Sequence, residues 1–103
     1  MNLKLEPQRF DELQVLFIRE MVKNIKLKLQ ESGLEGEQLE AATANIAFSV
    51  ASAIDDTAGI EAEGVEVRPY LTFRTNGDEV IHSGENSFMY EYVYSALRRL
   101  FGG

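Results

Sequence analysis

The sequence predicts a single α+β domain over residues 1–103: two antiparallel N-terminal helices, a β-hairpin that a short N-terminal strand can extend, and a C-terminal helix. Three observations predict it. Leu39, Ile46, Val50 and Ile54 recur at near-helical spacing in an alanine-rich stretch, and alanine's high helix propensity and small side chain favour a helix that neighbours approach closely. Val65 to Phe73 alternates apolar and polar residues with the period of two of a strand. Asn76-Gly77 follows, a dipeptide well suited to turning a hairpin.

Met1, Leu3 and Leu5 alternate with Asn2 and Lys4, a short strand pattern that Pro7 ends. Proline suits the first turn of a helix, where its missing N–H costs nothing, and Asp11 and Glu12 add negative charge near that helix's positive end. Phe10, Leu13, Phe17, Ile18, Met21, Val22, Ile25 and Leu29 then mark one broad apolar stripe. Lys23, Lys26 and Lys28 fall late in this helix, where cations complement its negative end rather than build a phosphate site. Gly33 stops the helix in a left-handed cap, with Leu34 folding back to Leu29.

The next helix is expected to bury most of its surface, because Ala41, Ala44, Phe48 and Ala51 trace a second stripe beside the large apolar one. Asp55 and Asp56 lie at its C-terminal end, where exposed carboxylates cost up to about 1 kcal/mol, so the pair either frays the last turn or is held for a reason, and fraying is preferred. Thr57 to Gly64 reads as a loop whose Ile60 folds onto the core. Pro69 places its part of the following strand at a sheet edge or bulge. A two-residue turn would pair Phe73 with Val80, Arg74 with Glu79 and Leu71 with His82; a three-residue loop would pair Phe73 with Ile81. The first register is preferred because it sets opposite charges across from each other. Asn86 and Ser87 are good caps for the last helix, along which Met89, Val93, Ala96 and Leu100 form one stripe and Tyr90, Tyr94, Leu97 and Phe101 another.

The formal net charge is −7, which opposes binding to nucleic acid phosphates. Nine acids (Glu31, Glu35, Glu37, Glu40, Asp55, Asp56, Glu61, Glu63 and Glu66) lie between residues 31 and 66 with no lysine or arginine among them, a run that reads first as a solvated surface and second as a docking face for a basic partner. There is no cysteine, which removes disulfide, thiolate-metal and cysteine-nucleophile chemistry and fits a cytoplasmic compartment. No apolar run approaches the roughly 20 residues that span a bilayer, so no membrane segment is expected.

No catalytic or metal signature emerges, and no cofactor is expected. His82 is the one histidine, without His-Glu-x-x-His or a spaced acidic calcium loop around it. Ser49, Ser52, Ser83 and Ser87 lack a nucleophile-elbow context, and the glycines are scattered rather than grouped as a phosphate cradle. The leading reading is a small acidic protein-interaction module of regulator, adaptor or toxin-neutralising type, without catalytic activity, that docks a basic protein partner through Asp55, Asp56, Glu61 and Glu63. A homodimer is expected, with Tyr90, Tyr94, Leu97 and Phe101 serving either its interface or the core, because a lone hairpin is marginal in water and the last helix carries more apolar surface than one contact needs. The alternative is a small-ligand pocket between hairpin and last helix, lined by His82, Tyr70 and Tyr90; an enzyme using His82 with Glu79, Glu85 or Glu91 ranks third.

Overall fold

The computed structural model describes residues 1–102. In chain order the elements are β1 (Asn2–Leu5), α1 (Pro7–Glu31), α2 (Gly36–Ile54), β2 (Glu61–Ala62), β3 (Val65–Glu66), β4 (Phe73–Arg74), β5 (Glu79–His82) and α3 (Met89–Phe101). This is the α+β architecture of two N-terminal helices, a hairpin and a C-terminal helix, with β1 added to the hairpin's sheet.

Pro7 opens α1, and a glycine stop closes it. Gly33 adopts φ 99°. Its N–H reaches the Gln30 carbonyl at 3.0 Å and the Leu34 N–H the Leu29 carbonyl at 3.1 Å, the paired bonds that consume the last carbonyls of a helix. The short connection folds α2 back along α1. Asp11 and Glu12 fall beyond the first turn, which holds no acid; Asp11 instead accepts hydrogen bonds from Gln14 and Tyr92.

All three helices pack on one another around Ile18 and Val22 of α1, Ala47 and Ala51 of α2, and Met89, Val93 and Ala96 of α3. The buried seam of α2 is Leu39, Thr43, Ala47 and Ala51; Leu39 faces inward as expected and Ile54 packs against the core, whereas Ile46 does not. Ile46 is 40% exposed, and Ala41, Asn45 and Ser49 are exposed too, so this helix is not buried on most sides. The reason is steric: where α1 and α3 both approach α2, at Ala47 and Ala51, only small side chains admit both. Thr43 satisfies its buried hydroxyl by donating to the Leu39 carbonyl at 2.7 Å.

The sheet order is β1-β5-β4, with β1 parallel and β4 antiparallel to β5. Phe73 pairs with Ile81 and Arg74 with Val80, so the two-residue register with Phe73 opposite Val80 is overturned. Thr75 N–H bonds to the Glu79 carbonyl at 3.1 Å, leaving a three-residue loop Asn76-Gly77-Asp78. The observed register puts Phe73 on the same side as the fully buried Ile81, where its ring meets Phe10 at 5.2 Å and Phe17 at 5.9 Å. Burying an aromatic ring outweighs one exposed cross-strand ion pair, worth at most about 1 kcal/mol. Glu79 finds its cation elsewhere, in Lys4 of β1 at 2.7 Å.

The strand expected over Val65 to Phe73 is broken. Val65 and Glu66 pair instead with Ala62 and Glu61 in a separate two-stranded ribbon, extended by a bond from the Val67 N–H to the Ile60 carbonyl at 2.9 Å. Residues 67–72 carry no strand, consistent with the donor missing at Pro69. The segment read as a loop thus supplies β2 and a tight turn at Glu63 and Gly64, both at positive φ. Ile60 stays 38% exposed at the edge of an apolar groove with Ile54 and Leu71. This ribbon stands off the body, since β2 and β3 make their substantial contact with each other and not with the helices.

Candidate functional site

The junction between the end of α2 and the start of α3 holds the least ordinary chemistry of the chain. Asp55 sits at the C-cap of α2 and is only 4% exposed. Its carboxylate accepts hydrogen bonds from the Ser87 hydroxyl at 2.5 Å, the Met89 N–H at 2.9 Å and the Tyr90 N–H at 2.8 Å. Buried Gln14 of α1 accepts the Phe88 N–H at 3.0 Å while donating to Asp11. The first backbone donors of α3 are therefore capped by side chains of the other two helices. Carboxylates are favoured at a helix N-terminus, which resolves the apparent misplacement of Asp55 at the other end of α2.

The expected fraying at Asp55 and Asp56 is accordingly corrected. Asp56 holds Arg68 through Oδ2, at 2.9 Å from both Nε and Nη2 of the guanidinium; the carboxylate lies beside this cation and holds its pKa above the ordinary value. Both aspartates thus have partners within the chain. The caps expected at Asn86 and Ser87 also change role, since Phe88 occupies the N-cap and makes no side-chain cap. Ser87 contributes by orienting Asp55. Glu61 and Glu63 remain exposed, on the ribbon, with Glu61 directly across from Glu66.

Beside this junction opens a cleft of about 420 Å³. Glu85 and Glu91 contribute carboxylates to it, Phe88 and Tyr90 its aromatic walls, and Thr57 and Asn86 further polar groups; no lysine or arginine lines it. Phe88 is 51% exposed. The Tyr90 ring continues into a surface cluster in which Phe48 lies 4.7 Å from Tyr90 and 4.8 Å from Tyr94.

The stripe Tyr90, Tyr94, Leu97, Phe101 therefore divides. Tyr90 and Tyr94 remain exposed, whereas Leu97 packs on the core and Phe101 lies under the Lys26 ammonium at 4.7 Å from the ring centre. His82 and Tyr70 do meet, with the phenol oxygen 2.8 Å from Nδ1. Tyr90 packs on α2 instead, and among the described residues no cavity is lined by these three together. No hydrogen bond joins His82 to a carboxylate there, and no cluster of three or more potential ligands is placed to hold a metal ion. No helix among those residues is long and apolar enough to cross a membrane.

Gln14 has no place among the residues expected from the sequence, and Asp55, expected to dock a partner, instead caps α3. The one available signal was an acid at the unfavourable end of a helix, which asks for a distant donor. Compared with known proteins, the chain matches no family model, no curated protein and no solved structure.

Proposed function

We propose that this chain is a non-enzymatic, cytoplasmic protein-interaction module of regulator, adaptor or toxin-neutralising type, which forms a homodimer and docks a basic segment of a protein partner into the α2–α3 cleft. The observation that carries this reading is the pairing, in one cleft, of exposed aromatic walls with two carboxylates that, among the described residues, no basic side chain neutralises. Phe88 and Tyr90 supply the walls and Glu85 and Glu91 the charge. A lysine or arginine is amphipathic in the matching way: its stem lies on an aromatic face and its cation reaches the carboxylates. Glu61, Glu63 and Glu66 add to a negative field that speeds the approach of a basic surface and repels nucleic acid.

Affinity capture from the native host, followed by mass spectrometry, identifies the partner, and association kinetics then compare the wild type with Glu85→Gln/Glu91→Gln. The expected result is a basic partner whose association slows severalfold in the variant and weakens as salt rises. An acidic partner, or equal rates at low salt, overturns the reading. A small cationic ligand in the same cleft is the second reading, favoured by a volume within the roughly 300–1,000 Å³ of small-molecule sites; its mark is a bound low-molecular-weight amine rather than a protein.

A further inference from the structure

We propose that the free edge of β1 is the self-association surface, where a second copy pairs its own β1 antiparallel to this one about a two-fold axis through Leu3. The two three-stranded sheets then join into one of six strands. This rests on the homodimer reading above and replaces the C-terminal helix as its interface.

β1 is the outermost strand of the order β1-β5-β4. The Asn2 N–H donates to the Asp78 carbonyl at 2.7 Å and the Glu6 N–H to the His82 carbonyl at 3.0 Å, so the even-numbered residues turn their backbone groups towards β5. Alternation along a strand sends the N–H and C=O of Leu3 and Leu5 the other way, to the open edge. Their side chains are 63% and 61% exposed, in register with Val80 and His82 on the face away from α1. The odd-numbered residues thus own both the unpaired backbone groups and the exposed apolar side chains.

A two-fold axis at Leu3 uses both at once. Leu3 meets Leu3 of the second copy as a hydrogen-bonded pair, and Met1 meets Leu5 in both directions on the same face, the Met1 carbonyl accepting from the Leu5 N–H while its amino group stays with Asp78 at 3.1 Å. The intervening pair sets Asn2 against Lys4, so no like charges face each other. Lys4 does not guard the edge, because Glu79 of the neighbouring strand holds it at 2.7 Å. Folded proteins commonly blunt edges with proline, a bulge or a charge, and β1 has none of these on its outward side. The other edge is poorer: β4 is two residues long and carries Arg74, which self-pairing would bring towards its own copy.

Two chains each of net charge −7 repel, so pairing through backbone and apolar groups strengthens as salt screens that repulsion. A contact with a basic partner weakens under the same change, which separates the two surfaces. The patch is small beside the roughly 1,200 Å² of a standard interface, so the mass should climb with concentration rather than stay fixed.

Light scattering on the full chain across the micromolar range tests this, at low and high salt. The wild type should approach the mass of two chains, more completely at high salt. Leu3→Pro deletes only an outward N–H and should give the mass of one chain with unchanged circular dichroism. Leu3→Glu and Leu3→Lys should each be single chains, because like charges meet across the axis, and their equimolar mixture should recover the double mass. A two-chain wild type whose Leu3→Glu variant dimerises equally, or a mixture that stays single, overturns the β1 surface and leaves the dimer standing. A wild type of one-chain mass at every concentration and salt overturns both.

Discussion

Asp55 and Ser87, 32 residues apart in the chain, meet at 2.5 Å, and through that contact the end of one helix becomes the cap of another. Truncating the carboxylate strands three donors in a buried site, the Ser87 hydroxyl and the Met89 and Tyr90 amides. Asp55→Ala should cost about 2–3 kcal/mol and Asp55→Asn, which keeps one acceptor oxygen, about 1 kcal/mol. Urea unfolding followed by circular dichroism reads both as a lowered midpoint at constant slope. An Asp55→Ala protein that unfolds at the wild-type midpoint would show the cap to be dispensable.

The seam of α2 predicts an inversion of the usual rule that large apolar residues matter most. Ala47→Leu forces extra volume between helices at a fully buried position and should destabilise by about 1–3 kcal/mol. Ile46→Ala, on the exposed flank, should cost about 0.5 kcal/mol. Thermal melts of the two variants decide it, and the opposite order would place the large stripe inside.

Local chemistry was legible and distant chemistry was not. The glycine stop at Gly33, proline at the start of α1, the strand pattern at Met1 to Leu5 and the helical stripe from Met89 to Leu100 all depend on neighbours a few residues away, and all appear where periodicity and capping rules put them. The hairpin register depended on Phe10 and Phe17, more than fifty residues from Phe73, and local charge pairing pointed the other way. Asp55 was misread for the same reason, since the donors that justify its position lie on α3. The ribbon was hidden because its strands are two residues long and pair only with each other, too short to show a period. Within the cleft, the sequence points to Tyr90 for an interface or a ligand pocket, to Asp55 for a partner, and to Glu85 and Glu91 only as companions of His82.

Tyr92 gives a pH prediction. Its hydroxyl donates to Asp11 Oδ1, and this bond, aided by burial and the carboxylate's charge, raises the phenol's pKa above its usual value near 10. The unfolded phenol ionises first as pH rises. The contribution of this bond is therefore whole below about pH 10 and is lost as pH climbs through the raised folded value. Ultraviolet titration of the folded protein should show a high-pH tyrosine that Asp11→Asn returns towards the ordinary range. A titration unchanged by Asp11→Asn contradicts the assignment.

Glu61 and Glu66 stand opposite each other on the ribbon, a like-charge pair that weakens it. Glu61→Lys should stabilise the ribbon by about 0.5 kcal/mol, slowing hydrogen exchange at the Val67 amide, which bonds to Ile60. The global unfolding midpoint should hardly move, because the ribbon stands apart from the core. Faster exchange at Val67 would rule out this pairing.

The ion pair between Asp56 and Arg68 joins the two feet of that ribbon, leaving residues 57–67 as an excursion with both ends already brought together. The chain leaves the helical body at one point and returns at nearly the same one. For such a closed excursion, doubling the number of residues adds only about 0.6 kcal/mol of closure entropy. The ribbon is thus an insertion port: a foreign peptide or small domain spliced between Glu63 and Gly64 would be displayed away from the helices while the three-helix core keeps its packing.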